Sequence, residues 1–173
     1  MSLLTTAVAA VIRDSAGNVL LCQQSQGHRL WGLPGGRIRN GESPVHAVIR
    51  DVREETGTET EVIDLVGLYQ LTGDACGELP DVLVHVFRGR VDGDISVNSP
   101  GRISRLAWYD PAHLPDPLTA TARAALGDVL ADRSGVVRDV QRDTEPDVPD
   151  AADPVAEPLA ARTAADDDVL ALT

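Results

Sequence analysis

The sequence predicts an α/β domain, and three observations lead there. Apolar runs of strand length surround amphipathic helical stretches across residues 1–138. One of those stretches, residues 44–56, has complete start and stop signals for a helix. The chain of 173 residues is also long enough to bury a core without disulfides or structural metals.

The elements follow in order. Residues 6–13 form an apolar run too short to span a bilayer, and no basic residue precedes it as in a signal peptide. It reads as a strand. Asp14-Ser15-Ala16-Gly17-Asn18 has turn chemistry, so residues 6–13 and 19–24 read as a hairpin. Residues 61–71 and 81–91 are further strands. The second alternates cleanly, with Val82, Val84 and Val86 on one face and Leu83, His85 and Phe87 on the other. Residues 106–109 make a short strand. Residues 117–131 read as a helix, with Ala122, Ala125, Leu126, Val129 and Leu130 on one side.

Charge divides the chain. All fifteen basic residues are Arg, against 27 acids, for a net charge of −12. Residues 139–173 hold ten acids, two Arg, four Pro and no aromatic residue. Such a composition cannot bury enough apolar surface to offset chain entropy, so the domain is expected to end at 138, with 139–173 a disordered acidic tail. An acidic chain is a poor sequence-independent nucleic-acid binder and a poor polybasic membrane binder. Cys22 and Cys76 lack metal-site or disulfide spacing, and Cys22 reads as a packed, reduced thiol. The expected setting is the cytoplasm.

The informative helix is residues 44–56. Ser43 suits the N-cap, Pro44 the first turn, and Gly57 the stop. Val45, Val48, Ile49 and Val52 define a core stripe. Asp51, Glu54 and Glu55 share a face beside it, at spacings that bring side chains together. They lie near the helix's C-terminal end, where the macrodipole disfavours negative charge. A divalent cation would offset that cost, and Mg²⁺ and Mn²⁺ favour carboxylate oxygens. Arg50, four residues before Glu54, can pair with it.

Upstream stands Trp31-Gly32-Leu33-Pro34-Gly35-Gly36, where the glycines allow a tight turn and close backbone approach. Joined to the helix, the run Gly36-x5-Glu42-x7-Arg50-Asp51-Val52-x-Glu54-Glu55-x-Gly57-Thr58 resembles the Nudix box, G-x5-E-x7-R-E-U-x-E-E-x-G-U with U apolar. Six fixed identities match. At roughly one in fifteen per identity, chance agreement is about one in ten million per start site. Asp51 replaces a Glu and Thr58 an apolar residue. The resemblance covers about residues 3–135 and includes Trp108-Tyr109-Asp110 before a Leu-Pro and a last helix.

It implies an α/β/α sandwich on a mixed sheet, and Mg²⁺- or Mn²⁺-dependent hydrolysis of a nucleoside diphosphate linked to another group. The expected partner is a small nucleotide, with the oligomeric state open between monomer and homodimer. The leading substrate is a (d)NTP or modified nucleotide, cleaved to monophosphate and pyrophosphate. ADP-ribose or a nucleotide sugar is the second option, and a non-catalytic nucleotide-binding regulator the third. Metal ligands would come from Asp51, Glu54, Glu55 and the Gly36 carbonyl, with Arg50 orienting the glutamates. Gly35, Glu42 and Gly57 would support them. A further catalytic Glu often lies in a later loop, yet residues 98–106 hold no acid, leaving Glu78, Asp81, Asp92 or Asp94. Arg29, Arg37, Tyr69 and Glu78 are candidate substrate contacts, against the rival readings of solvated loops for the arginines and core packing for Tyr69.

Overall fold

The computed structural model describes residues 4–73 and 79–143. It contains β1 (Thr5–Ile12), β2 (Val19–Gln24), β3 (Trp31–Gly32), β4 (Gly35–Arg37), α1 (Pro44–Thr56), β5 (Thr60–Thr72), β6 (Val82–Val91), β7 (Ile103–Tyr109), α2 (Ala120–Leu130) and β8 (Val136–Gln141). A five-stranded sheet runs β4-β1-β6-β5-β8, and a three-stranded sheet runs β3-β2-β7. The larger sheet is mixed: β1 pairs parallel with β6 and β5 parallel with β8, while β1–β4 and β5–β6 are antiparallel.

Strand alternation builds the layers. Val8, Ala10 and Ile12 of β1 pack with Ala47, Val48 and Val52 of α1 in one core. Ala9 and Val11 point the other way and join Ala122, Ala125, Leu126 and Val129 of α2 in the second. A strand covered on both faces must be apolar, and β1 is so from Ala7 to Ile12. Val48 and Val52 are fully buried, each contributing roughly 1.5–3 kcal/mol of transfer free energy. The result is the α/β/α sandwich expected from the resemblance.

Three expectations need correction. Residues 6–13 and 19–24 do not form a hairpin ladder. β1 and β2 belong to different sheets, joined at their near ends by a single Arg13–Val19 bridge. The connection closes on Asp14, whose carboxylate accepts the N–H groups of Ala16 and Asn18. The second helix starts at Ala120, not Pro117. Trp31 N–H donates to Pro117 O and Thr119 N–H to Trp31 O, so 117–119 are held extended against β3.

The third correction concerns the domain boundary at 138, which falls inside β8. Residues 139–141 continue the parallel pairing with β5. A Cβ on Gly67 would sit 2.4 Å from Val136 O, so β8 can dock there only against glycine. The expected disorder of the remaining tail concerns residues 144–173, outside the described residues. Among the described residues no helix is long and apolar enough to cross a membrane.

Candidate functional site

Helix α1 presents its acids inward. Ser43 accepts the His46 N–H at its start, and Gly57, in the left-handed region (φ 74°), donates to Arg53 O at its end. The buried face is Ala47, Val48, Asp51, Val52, Glu55 and Thr56, whereas Val45 is 41% exposed. The expected stripe is therefore rotated. Asp51 and Glu55 lie within the buried face, at 1% and 2% exposure, instead of beside it.

What admits them is the backbone of β4. A Cβ on Gly35 would fall 2.1 Å from Val8 O, and one on Gly36 would fall 2.7 Å from Asp51 Oδ2. Only glycines let the strand lie this close to both β1 and the helix. The Gly35 N–H donates to Glu55 Oε2 at 3.0 Å. Cys22 Sγ lies 3.9 Å from the same oxygen, and burial pushes its thiol well up.

The three acids have unlike surroundings. Burial pushes the Glu55 carboxyl up to about 7, against the opposing pull of the Gly35 N–H and Arg102. Burial also raises Asp51, against Arg50 and Arg102. Asp51 Oδ1 accepts Arg50 Nη1 at 2.6 Å, but its Oδ2 is buried without any partner. Glu54 is 39% exposed and pairs with Arg39 at 3.0 Å.

Arg50 does not chiefly serve Glu54, which is 3.8 Å away. It grips Glu42 in a two-pronged fork, Nε to Oε1 at 2.7 Å and Nη2 to Oε2 at 2.8 Å, and also donates to Arg37 O. Glu42 accepts the Arg39 N–H as well, so it ties the loop between β4 and α1. Its bonds with Arg50 hold the Glu42 carboxyl down to about 2.

Two residues that sequence reasoning missed complete the cluster. Arg102, in the loop before β7, reaches Glu55 Oε1 (3.1 Å), Glu54 Oε2 (3.6 Å), Asp51 Oδ1 (3.9 Å) and Gly35 O (3.3 Å). Asn98 donates its N–H to Glu55 O and its Nδ2 to Glu54 O. It thus satisfies carbonyls at the helix end where the acids accumulate. In the sequence this segment is marked only by its lack of acids. No local pattern joins Arg102 to a helix 47 residues earlier.

A cleft of about 590 Å³ opens beside the cluster. Ala7, Ala9, Val84 and Leu33 form apolar walls, Gln24, Ser25, Thr119 and Thr121 supply polar groups, and Glu55 and Arg102 stand among its lining residues. The other expected contacts fall elsewhere. Tyr69 is fully buried and donates to Asp128, so it packs the core and cannot stack on a base. Arg29 and Arg37 are exposed and do not line the cleft. Asp81, Asp92 and Asp94 do not line it either, and Glu78 lies outside the described residues.

The donor chemistry suits a hard divalent cation. Carboxylate oxygens converge on the two glycines of β4, and one buried oxygen lacks a partner. Among the described residues, however, no three His, Cys, Asp or Glu side chains gather closely enough to hold a metal ion. Arg102 stands between them. The carbonyl turned toward the cluster's cation is that of Gly35, and Gly36 contributes room.

An α/β/α sandwich that lays a carboxylate-bearing helix beside a cleft is the architecture of a class of hydrolases, and comparison with known proteins agrees. Residues 3–131 match the NUDIX domain. The chain belongs to the Nudix family and is a hydrolase of that family. It is 29% identical to a Bacillus subtilis (strain 168) protein named "Putative 8-oxo-dGTP diphosphatase", over 64% of this chain and 70% of that one. It is 32% identical to the human 8-oxo-dGDP phosphatase NUDT18, over 65% of this chain but 34% of that longer protein. The crystal structure of MutT NUDIX hydrolase from Burkholderia pseudomallei superposes with a TM-score of 0.68 at 29% identity, covering 73% of this chain and 98% of that one.

Proposed function

We propose that this hydrolase cleaves a (d)NTP or a modified nucleotide to the monophosphate and pyrophosphate, with Mg²⁺ or Mn²⁺ held by Asp51, Glu54 and Glu55. The observation that carries this reading is the cleft. It pairs aliphatic walls and a few amide and hydroxyl groups, suited to a base and sugar, with Glu55, the member of the acid cluster that lines it, suited to a metal–phosphate unit. When bound, the divalent ion would screen the phosphate charge from the acids and make a bound water more acidic.

The chain's own residues set up that site. The Glu42–Arg50 fork fixes the guanidinium that holds Asp51 Oδ1, which orients the Asp51 carboxylate. The Gly35 N–H fixes Glu55 Oε2. Burial raises the Glu55 carboxyl to about 7 where no cation offsets it, and a divalent ion on its oxygens would favour the ionised form. Asp51, one methylene shorter than Glu, still reaches Arg50 and leaves Oδ2 facing the space above Gly36.

The names of the relatives put oxidised deoxyguanosine nucleotides first in the substrate panel. The test is turnover of 8-oxo-dGTP, the ordinary dNTPs, ADP-ribose and nucleotide sugars with Mg²⁺ and with Mn²⁺, with products identified by chromatography. Monophosphate and pyrophosphate from a nucleoside triphosphate is the expected result. A preference for ADP-ribose or a nucleotide sugar would overturn it.

A further inference from the structure

The acid cluster already contains a cation. Among the described residues Arg102 alone lies within 4 Å of all three carboxylates. Arg50 meets Asp51 and Glu54 but is committed to its fork with Glu42. The two arginines are also held differently. Arg50's side chain is 17% exposed, whereas Arg102's is 46% exposed and borders the cleft. Arg102 is fixed at its backbone, where its N–H donates to Ser99 O and its carbonyl accepts the Ser25 N–H. A long side chain on a pinned backbone, with open cleft beside it, can leave its partners without disturbing the fold.

Arg102 Nη2 lies 3.0 Å from the point a Gly36 Cβ would take, and Asp51 Oδ2 lies 2.7 Å from that same point. The guanidinium therefore borders Asp51 Oδ2, which among the described residues is the one buried carboxylate oxygen without a hydrogen-bond partner, yet does not bond it. Its Nη2 is already engaged by Glu55 Oε1 and the Gly35 carbonyl. A small cation with oxygen ligands would use Asp51 Oδ2. It would also repel a guanidinium only a few ångströms away.

We infer that Arg102 is a displaceable internal counter-ion. It is the cation that Asp51, Glu54 and Glu55 share in the metal-free protein, a divalent cation must displace it to bind them, and the freed guanidinium is delivered into the cleft to meet the substrate's phosphates. This rests on the reading that these acids take a divalent ion. Metal binding and anion binding are then coupled through one side chain.

The test is Mn²⁺ titration of the full chain by calorimetry without nucleotide, for the natural protein, Arg102→Gln and Arg102→Lys. Removing the competing charge should tighten Mn²⁺ binding about tenfold in Arg102→Gln, the order expected for one half-exposed like charge. Its metal-free melting temperature should fall, and Mn²⁺ should raise it by more than in the natural protein. Arg102→Lys, still charged, should bind Mn²⁺ as the natural protein does. At saturating Mn²⁺, Arg102→Gln should bind a nucleoside monophosphate about tenfold more weakly.

Equal or weaker Mn²⁺ binding by Arg102→Gln overturns displacement, and unchanged monophosphate affinity overturns delivery to the phosphates. If Arg102→Gln does not fold, the Arg102 side-chain Nε resonance of the natural protein decides. It should shift with Mg²⁺, and an unmoved signal at saturation rejects the inference. Absence of Mn²⁺ binding by the natural protein rejects the metal reading itself, a different outcome from binding that ignores Arg102.

Discussion

Asp51 and Asp128 are both buried carboxylates, at 1% and 3% exposure, and each lies beside two arginines on opposite sides of the sandwich. Their states differ. Asp128 accepts Tyr69 OH, Arg133 Nη1 and both Nε and Nη2 of Arg138, so neither oxygen is left over. Its carboxyl is held down to about 2, chiefly by Arg138. Asp51 bonds through one oxygen only and is pushed up by burial. Neighbouring arginines alone do not decide what a buried acid does. Saturation does: a fully bonded carboxylate fastens α2 to β8, while an underbonded one is available for a ligand.

The sharpest way to break this contrast is to remove one carboxylate on each side. Glu55→Gln should lower turnover by about a thousandfold or more, roughly 4 kcal/mol of transition-state stabilisation. Its metal-free melting temperature should hold or rise, because a buried charge is removed and the Gly35 N–H keeps an acceptor. A drop in turnover of less than tenfold would place the reaction elsewhere.

Asp128→Ala should behave in the opposite way. It orphans two guanidinium groups and Tyr69 OH at the junction of α2, β5 and β8, and should cost about 3 kcal/mol in urea denaturation. That is the low end for a broken buried pair, since Arg133 and Arg138 are each about half exposed. The kcat of the folded fraction should stay within a factor of two or three. Glu42→Gln ranks third. It loosens Arg50 and through it Asp51, so kcat should fall about tenfold with little change in stability.

The smallest effect is on pH dependence, where the two regions have opposite signs. Glu55 is raised from 4.5 to about 7, so the native state takes up its proton. Its contribution to stability is complete below about 4.5 and is lost as pH rises through 7. Asp128 is lowered from 3.8 to about 2. Its contribution is present above about 4 and is lost as pH falls through 2. Urea midpoints of the chelator-treated protein should therefore decline from pH 5 to 8, and Glu55→Gln should flatten that slope. An unchanged slope would contradict the burial argument.

What the sequence revealed follows the range of the interactions. Helix α1 is readable end to end because Ser43, Pro44 and Gly57 act within a turn of their targets. The core strands are readable because apolar alternation is local. β3 and β4 are not, since two- and three-residue strands carry no period and exist through β2 and β1. β8 is hidden because only Val136 and Val140 mark its packed face, with Arg138 and Asp139 between them, and its partner lies some 70 residues upstream. At the site, Glu42, Arg50, Asp51, Glu54 and Glu55 are visible as a spaced motif. Arg102 and Asn98 are not, because a loop in three dimensions brings them there. Tyr69 is readable from its apolar strand context as a packed residue, but its hydroxyl's partner, Asp128, is not, because it lies 59 residues downstream.

The Gly35 amide has a further use. In the metal-free protein its proton bonds to Glu55 Oε2, within a backbone too crowded for any side chain. Hydrogen exchange at this one position therefore follows what Glu55 is doing. A slow exchange rate would mean that Glu55 keeps this bond, and a fast one that it has turned away, so the amide is a native reporter of the site's state, readable without a label or a substrate.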